Sequence, residues 1–584
     1  MTFPTTKAFR MVPTDSSGPD ERESAIAYAD RLRNRPGVVF WASIGFVAAF
    51  VLWASLSPQS LDTTMTSTMD WIASSIGWMY LIVPLGCIIL LVYLAFSRFG
   101  GIRLGTDESR PDFNTFAWLA MILATVMGIG LISYGVAEPI SHFLTPPHGL
   151  AEPGTMEAAV RAMQFSYFDW GPHAWAIFGV FGLAIAYSTH RRGNPGLVSP
   201  MLRPVLGKIV DGWVGKAIDV FAILATLFGT TTSLGLGASQ ISEGLERVFG
   251  IPSGLVPQIV IIAAITVIFT LSALSGVNRG IKYLSQFTMI VSALFGVYVL
   301  IVGPTNFITN LFVRATGQFF TDFFQVSLLT PATPDDVQWM QWWTYFMMAW
   351  WLSWGAFVGV FLAKISKGRT VREFIAAVLG VPSLVFFLWF TIMGGTAINI
   401  DMFQGGTIGI EAGENVQSAF FETLTHLPLT GITSIIIMIL VVVFFVTGAD
   451  SNTFVLSMMS SRGTLAPSRP VLATWGVLTG VCAIVLLIVG GLSALQKAAM
   501  LSGLPFTVIV ALLGVSLVKE LHRDAEYERL RHARIADLEA LRRKSAGEPV
   551  VPAEPQPNDP EGDAANAGEP EADAPAAPGV APRA

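Results

Sequence analysis

Long apolar segments, separated by short polar ones, dominate the chain. Runs such as Val38 to Leu56, Ile259 to Leu274 and Ile432 to Val446 contain almost no polar residue. A helix needs roughly 20 apolar residues to cross the hydrocarbon core of a bilayer. The pattern predicts twelve membrane-spanning helices, numbered here as predicted spans 1 to 12: 37–57, 76–96, 114–138, 169–188, 216–240, 257–276, 285–304, 339–363, 374–397, 431–453, 472–492 and 498–518.

Composition and charge agree with this pattern. The chain of 584 residues is 52% hydrophobic and only 13% charged, whereas soluble domains carry about 25% charged residues. Lys and Arg accumulate in cytoplasmic loops, so their distribution predicts the orientation. With the N-terminus inside, nearly all of the 35 Lys and Arg residues fall on the inner side. We therefore expect a multi-pass protein of the plasma membrane with both termini in the cytoplasm.

Four segments outside the spans differ from them in character. Residues 1–36 are mostly polar and predict a cytoplasmic N-terminal segment. Residues 305–338 are too polar to cross a bilayer, but their phenylalanines recur at helical spacing. This predicts an amphipathic helix at the outer interface, with a plain loop as the alternative. Residues 519–545 pair opposite charges three or four positions apart, which predicts a cytoplasmic helix. Residues 546–584 are rich in Pro, Ala and acidic residues, which predicts disorder.

Tryptophan and phenylalanine cluster in predicted spans 4 and 8. Tryptophan often forms an interfacial belt in membrane proteins; this explains Trp342 and Trp343 at the start of span 8, but not the tryptophans two to three turns deeper. Grouped indole faces attract a cation that cannot donate hydrogen bonds, so the clusters predict a quaternary ammonium site. At about 100° per residue each cluster covers one helix face: Trp170, Trp175 and Phe178 in span 4, and Trp350, Trp351 and Trp354 in span 8.

Predicted spans 3 and 4 contain residues with two possible roles. Gly128 and Gly130 each cost a helix about 1 kcal/mol relative to alanine. They serve either close helix packing or local unwinding that exposes backbone groups to a substrate or cation. Asp169 is expected to cap the start of span 4 by accepting backbone N–H groups. The alternative is that its carboxylate favours a net-cationic substrate such as choline.

Hydroxyl groups in the spans are candidate ligands for a hard cation. Thr226 and Thr230 lie one turn apart in span 5, and Thr447 lies in span 10. Most such hydroxyls bond to their own helix backbone, whereas oxygen ligands are what sodium requires. The sequence shows no His, Cys and Asp pattern with metal-ligand spacing, no nucleophile–base pair, no phosphate-binding loop and no repeated pore loop. We therefore predict neither an enzyme nor a channel, no cofactor and no nucleic-acid partner.

Three stretches resemble the betaine/choline/carnitine transporter family. They are residues 127–142 (MGIGLISYGVAEPISH), 344–374 (TYFMMAWWLSWGAFVGVFLAKISKGRTVREF) and 444–463 (FFVTGADSNTFVLSMMSSRG), within a similarity that runs from about 37 to 520. The resemblance implies an all-α membrane protein with a LeuT-like core of two inverted five-helix repeats, residues 114–304 and 339–518. Two further helices, in residues 37–113, would lie outside this core. It also implies a homotrimer and alternating access.

The resemblance also implies roles for particular residues. The substrate carboxylate would meet backbone donors between Met127 and Gly130, including Gly128. The family's aromatic box corresponds to Trp170, Trp175, Phe178 and Trp351, with Trp354 and Phe361 lining the path to it. One sodium site corresponds to Thr226, Thr230 and Phe357, and the other to the carbonyls of Ala124, Met127 and Phe444 with the Thr447 hydroxyl. The chain departs from the family pattern at Phe178 (commonly Tyr), Met348 (usually Trp), Gly355-Ala356 (usually Ser-Pro) and Gly448 (a serine of the second sodium site).

The resemblance implies sodium-coupled uptake of a compatible solute such as glycine betaine. The alternatives are sodium-independent exchange, proton-coupled choline or carnitine transport, and a protein that acts chiefly as an osmosensor. In the carnitine branch a basic residue stands in for sodium, whereas Ala217 to Glu246 contain neither Lys nor Arg. This favours sodium as the coupling ion.

The basic residues that follow span 12 generate a testable prediction. Each can contact anionic lipid with about 1 kcal/mol. Deleting residues 519–584 is therefore expected to leave substrate affinity nearly unchanged and to alter the dependence of transport on osmolality. Uptake into proteoliposomes at increasing osmolality measures this dependence. An unchanged activity–osmolality curve would instead mean that the segment only aids solubility.

Overall fold

The computed structural model describes residues 36–126, 128–275 and 278–545, without the side chains of 124–126, 148, 278–283, 285, 414 and 525–545. The tail 546–584, nearly all of the N-terminal segment 1–36 and Met127 lie outside the described residues. The chain divides into two units, one up to Leu521 and one from His522 onward. In the second unit, the described residues from His522 to Ser545 are helical.

Regular structure in the described residues is helical, apart from one isolated antiparallel bridge between Arg103 and Thr370. The α-helices are α1 (Val38–Leu56), α2 (Pro58–Ser75), α3 (Met79–Phe96), α4 (Thr115–Val126), α5 (Ile129–Leu144), α6 (Met156–Trp170), α7 (Pro172–Ala186), α8 (Val198–Met201), α9 (Arg203–Leu206), α10 (Trp213–Phe249), α11 (Leu255–Ser275), α12 (Asn278–Val302), α13 (Thr305–Thr321), α14 (Phe323–Ser327), α15 (Pro334–Trp342), α16 (Thr344–Ile365), α17 (Val371–Gln404), α18 (Ile408–Glu414), α19 (Ser418–Thr425), α20 (Thr430–Ser460) and α21 (Arg469–Ser545).

Eight helices in the described chain are long and apolar enough to cross a membrane, and a ninth results if the bent pair α12–α13 is one span. They are α1, α3, α10, α11, α15 with α16, α17, α20 and α21. The count is lower than the twelve predicted spans for a physical reason. Predicted span 3 is divided between α4 and α5, and span 4 begins at the break between α6 and α7, so each piece has at most 16 residues. Predicted spans 11 and 12 both lie in α21, which bends at Gly490 and Gly491.

The most extensive helix contact joins α7 to α16, and glycines allow it. A Cβ atom on Gly359 of α16 would lie only 3.0 Å from the backbone carbon of Phe181 and 3.1 Å from the backbone nitrogen of Gly182. Small residues let membrane helices approach this closely and gain van der Waals contact along their length. The close contact fixes the register between the two helices that carry most of the aromatic residues singled out in the sequence.

The loop between α16 and α17 is hydrogen-bonded to the segment that precedes α4. Arg369 donates a hydrogen bond to the Phe113 carbonyl (2.8 Å) and lies 4.4 Å above the Trp118 ring. The backbone of Leu104 exchanges hydrogen bonds with Gly368 and Arg369 (both 2.8 Å). Since α4 leads directly to the break before α5, this attachment helps to hold the start of α5 in place.

Residues 305–338, predicted as one amphipathic helix, contain α13, α14 and the start of α15. The chain bends by 111° between α12 and α13. One face of α13 is buried, through Ile308, Leu311 and Phe319, while Val313 and Phe320 on the other side are exposed. These positions have the three- and four-residue spacing of an amphipathic helix, and α13 packs against α6 and α17.

The close approach at Gly359 generates a prediction. Replacing Gly359 by Ala is expected to lower the thermal unfolding midpoint of the purified protein, because overpacking costs about 1–3 kcal/mol and exceeds the ~1 kcal/mol that alanine contributes to helix propensity. Gly86→Ala, on an exposed face of α3 where an added Cβ meets no described atom within 4 Å, is the matched control. It should leave the midpoint unchanged or raise it. Equal shifts in both variants would contradict the packing argument.

Candidate functional site

Five aromatic side chains from α6, α7, α16 and α17 form a closed loop of ring contacts, called here the aromatic cage. In order around the loop, the centroid distances are 4.8 Å (Trp170–Trp351), 6.1 Å (Trp351–Phe178), 5.8 Å (Phe178–Trp175), 6.1 Å (Trp175–Phe386) and 5.8 Å (Phe386–Trp170). All five side chains are buried. The sequence singled out the first four. It did not single out Phe386, because its segment of α17 reads as an ordinary apolar run.

The break between α6 and α7 positions two members of the cage. Trp170 is the last residue of α6, and Pro172 begins α7, where proline fits because its missing N–H has no helical partner to lose. A Cβ on Gly171 would lie 2.3 Å from the Tyr167 carbonyl oxygen and 2.6 Å from the Phe387 ring. Glycine at this break therefore lets Trp170 lie across α7 and face Trp351.

Asp169 is not the helix cap that its position predicted. It lies in the last turn of α6, and the N-cap of α7 is Gly171, which provides no side-chain cap. Within the described structure neither oxygen of the buried Asp169 carboxylate has a hydrogen-bond partner. The prediction failed because span 4 was taken to begin at residue 169, whereas the preceding helix continues to residue 170.

Hydrogen bonds fix the orientations of the indoles. Trp351 Nε1 donates to the Asp169 carbonyl oxygen (2.7 Å), and Trp170 Nε1 donates to Glu138 Oε2 (2.7 Å). Trp350, which stacks on Trp351 at 5.0 Å, donates from Nε1 to the Gly229 carbonyl of α10 (3.2 Å). Buried indole N–H groups need such partners. With the N–H edges bonded in this way, the orientations of the three indoles relative to one another are fixed.

Of the two roles considered for the glycines of predicted span 3, local unwinding applies to Gly128 and close packing applies to Gly130. Gly128 has extended backbone (φ −152°, ψ −156°) between α4 and α5, so the helix is broken there. Gly130 serves packing: a Cβ would lie 2.8 Å from Trp170 Cη2 and 3.1 Å from Trp350 Cη2. The first N–H groups of a helix have no intrahelical partner and carry partial positive charge. The start of α5 thus presents a polar end beside the cage.

The remaining aromatic candidates lie outside the cage. Trp354 is half-buried on α16, 6.0 Å from Trp350 and 5.8 Å from Phe357 between ring centroids. Phe361 lies two turns further along the same helix and is also half-buried. Trp343, expected in an interfacial belt, is half-buried and packs against the His142 ring at 4.7 Å.

A buried group of polar oxygens lies where α10 packs against α20. Thr230 donates to the Thr226 carbonyl (2.8 Å) and accepts from Asn452 Nδ2 (2.5 Å). In the part of the chain that the structure describes, Thr226 Oγ1 and Asn452 Oδ1 have no hydrogen-bond partner. Phe357 of α16, the third predicted member, is buried. Asn452 was missed because only the fold brings it beside the threonines. Orphaned buried oxygens fit a hard cation.

The second predicted cation site is described only in part. Thr447 donates its hydroxyl hydrogen to the Val443 carbonyl (2.8 Å), and Phe444 is buried. Ala124 lies in α4, while Met127 is outside the described residues. A Cβ on Gly448 would meet none of the described atoms within 4 Å. The structure therefore has space beside position 448 for the serine side chain that the family pattern contains.

A third polar group was not expected from the sequence. Glu138, His142 and Asp169 are fully buried, and one potential ligand atom from each lies within 4.8 Å of the others. The signal that the sequence analysis missed is the four-residue spacing of Glu138 and His142, which places both on one face of α5. Asp169 joins them only through the packing of α6 on α5.

Comparison with known proteins identifies the class to which this arrangement belongs. The chain matches the betaine/carnitine/choline transporter family over residues 38–526. It is 45% identical over 488 residues to the glycine betaine transporter OpuD of Bacillus subtilis, covering 83% of this chain and 94% of that protein. It is 37% identical over 486 residues to an ectoine/hydroxyectoine transporter of Virgibacillus pantothenticus, covering 83% of this chain and 96% of that protein. It is 36% identical over 522 residues to the betaine/ectoine transporter LcoP of Corynebacterium glutamicum, covering 88% of this chain and 82% of that protein.

The protein is therefore a multi-pass membrane transporter and not an enzyme. More particularly, it belongs to the betaine/carnitine/choline family of transporters. The resemblance seen in its sequence is confirmed over almost the whole membrane part of the chain.

Proposed function

We propose that this protein imports a small osmolyte with a quaternary ammonium head, glycine betaine or a close analogue, by sodium-coupled secondary active transport. The observation that carries the proposal is the aromatic cage. Its five rings are buried. They offer negatively polarised faces and no hydrogen-bond acceptor of their own. The relatives named as glycine betaine and betaine/ectoine transporters support a ligand of the betaine type.

The dimensions of the cage suit a trimethylammonium group. Its contacts run from 4.8 to 6.1 Å between centroids. A regular pentagon with sides in this range has its centre about 5 Å from each corner, within the ~6 Å at which a cation interacts with a ring face. The rings already contact one another, so a ligand enters by displacing them slightly outward. A primary amine would lose its hydrogen bonds to water there, whereas a methylated nitrogen has none to lose.

The start of α5 suits the carboxylate of the same ligand. Gly130 brings the first turn of this helix against the Trp170 ring. The free N–H groups and the positive end of the helix dipole attract an anion without a basic side chain. A zwitterion with its methylated end in the cage and its carboxylate at the start of α5 would therefore be matched at both ends.

The residues present fit the proposed sodium ions to different degrees. Thr226, Thr230 and Asn452 supply buried oxygens at the first site, two of which have no hydrogen-bond partner among the described atoms. At the second site, Thr447, Phe444 and Ala124 remain, and Gly448 supplies no oxygen. Sodium bound at these positions would supply the energy of its gradient for uptake. Weaker binding is expected at the second site, since water must complete its ligands.

The proposed architecture is the twelve-span core of two inverted repeats with both termini in the cytoplasm. Counting α4–α5, α7 and α12 as one span each, and α21 as two spans on either side of its bend, gives twelve together with α1, α3, α10, α11, α16, α17 and α20. We extend the proposal to a homotrimer and to contact of the C-terminal basic residues with anionic lipid. Crosslinking in native membranes tests the first, and vesicle binding tests the second.

Removing one ring tests the cage. Trp351→Ala is expected to weaken glycine betaine binding by about 1–2 kcal/mol or more, which is at least roughly 5- to 30-fold in Kd, because one cation–π face is lost. Tryptophan fluorescence of the purified protein, titrated with glycine betaine, measures Kd. Trp41→Ala, at a 63% exposed position on α1, controls for the loss of an indole. Comparable losses in the two variants would contradict the cage assignment.

Sodium coupling is tested with the two hydroxyl positions. Thr226→Ala is expected to raise the sodium concentration needed for half-maximal uptake, because it removes one ligand oxygen. Gly448→Ser should lower that concentration, since the structure has space for the added hydroxyl group. Radiolabelled glycine betaine uptake is measured against external sodium, with potassium salts holding the ionic strength constant. Uptake that is equally fast without sodium, or that follows a proton gradient, would exclude sodium coupling while leaving the betaine assignment intact.

A further inference from the structure

The buried group formed by Glu138, His142 and Asp169 is not needed for the proposed betaine or sodium sites. Glu138 and His142 lie one turn apart on α5, with 3.8 Å between Glu138 Oε1 and His142 Nε2. Asp169 approaches them from the end of α6. All three side chains are fully shielded from solvent. Their ligand atoms converge, with one from each residue within 4.8 Å of the other two.

Most polar atoms of this group have no partner. Among the described residues, Glu138 Oε1, both ring nitrogens of His142 and both carboxylate oxygens of Asp169 lack a hydrogen bond. The hydroxyl of Thr344, at the start of α16, lies beside the Asp169 carboxylate and can donate a hydrogen bond to it. Burying an unpaired polar or charged group costs several kcal/mol. One ligand atom from each of the three residues lies close to the other two, and a positively charged ligand shared among them would offset this cost.

In the described structure neither Glu138 nor Asp169 forms an ion pair with Lys or Arg, and the basic group that faces Glu138 is the His142 imidazole at 3.8 Å. His142 is enclosed by Trp339 (4.9 Å between ring centroids) and Trp343 (4.7 Å), which exclude water. Calcium and magnesium prefer six or more oxygen ligands, whereas imidazole with carboxylates is typical of zinc and its neighbours. The chemistry of the donors thus selects a transition metal over a hard cation.

We propose that Glu138, His142 and Asp169 form a binding site for a divalent transition-metal ion of the zinc type. Ligand atoms that lie within 4.8 Å of one another need only small side-chain rotations to reach the zinc–ligand distances of roughly 2.0–2.2 Å. An open cavity of about 790 Å³, lined in part by Gln338 and Trp342, borders α15. Trp339 of this helix packs against the His142 ring, so α15 borders both the cavity and the site.

The site is linked to the aromatic cage by two hydrogen bonds. Glu138 binds the Trp170 indole through Oε2 while Oε1 faces the cluster, and the Asp169 backbone carbonyl binds the Trp351 indole. Groups that bond to metal ligands are sensitive to metal occupancy. Metal binding is therefore expected to change the emission of the cage tryptophans even without an osmolyte.

The experiment measures metal binding by the full-length protein in detergent, after treatment with a chelator and without sodium or betaine. Isothermal titration with Zn²⁺ is expected to show one site per chain. Titration with Co²⁺ should produce the visible absorption of a metal bound through nitrogen and oxygen. His142→Gln is expected to weaken Zn²⁺ binding at least about tenfold. Asp169→Asn provides a second variant with the same expectation should His142→Gln fail to fold.

A matched control is present elsewhere in the chain. Glu422 and His426 have the same four-residue spacing and the same 3.8 Å separation, but Arg247 already pairs with Glu422 at 2.7 Å. His426→Gln should therefore leave Zn²⁺ binding unchanged. Zn²⁺ should also raise the unfolding midpoint of the unaltered protein and of His426→Gln, but not of His142→Gln.

Absence of stoichiometric Zn²⁺ binding, or equal affinity in the unaltered protein and both cluster variants, would overturn the proposal. Loss of binding in His426→Gln would also overturn it, because the metal would then lie elsewhere. The measurement uses no transported substrate, so its outcome is independent of the proposed betaine and sodium sites.

Discussion

Trp170 can reach its partners only because residue 130 has no side chain. Its indole lies against the first turn of α5, where a Cβ would be 2.8 Å away, and from there it contacts Trp351 and Phe386. The same ring donates its N–H to Glu138 on α5. The Trp170 side chain therefore contacts both broken helices (α4–α5 and α6–α7), the other rings of the aromatic cage and the buried acidic group. A larger residue at position 130 would separate all of them at once.

The broken helices and the α10–α20 pair are connected through α16. Trp351 of α16 belongs to the cage, and Phe357 belongs to the predicted sodium site six residues later. Trp350 donates to the Gly229 carbonyl of α10, between Thr226 and Thr230 of the same helix. The proposed organic and inorganic ligands are therefore linked through α16 and its hydrogen bond to α10. Under the proposed function, binding of either ligand is expected to change the free energy of binding the other, and linkage requires the effect to be mutual.

The sequence predicted those features that depend on local periodicity. Apolar runs located most spans, and the clustering of Trp170, Trp175 and Phe178 in the sequence predicted a shared site. The single helix face assumed for these three residues was wrong, because Trp170 ends α6 whereas Trp175 and Phe178 lie on α7. Features that depend on packing between distant segments were not predictable. Phe386 completes the cage only because α17 packs beside α6 and α7. The side chains of Asn452 and Asp169 are likewise surrounded by residues of other helices. Because the helix break lies one residue after Trp170, Asp169 is a buried acid in α6 and not the cap of α7.

The closed loop of contacts in the cage has a consequence for how members of this family diverge. Each of the five rings touches two neighbours, so none can change size without shifting the others. Substitutions at neighbouring cage positions should therefore be strongly non-additive. If the ligand preference changes by one cage substitution at a time, the intermediate variants have poorly packed cages. Descendants with a new ligand would then carry correlated replacements on adjacent helices, such as α7 with α17, rather than an isolated change at one ring.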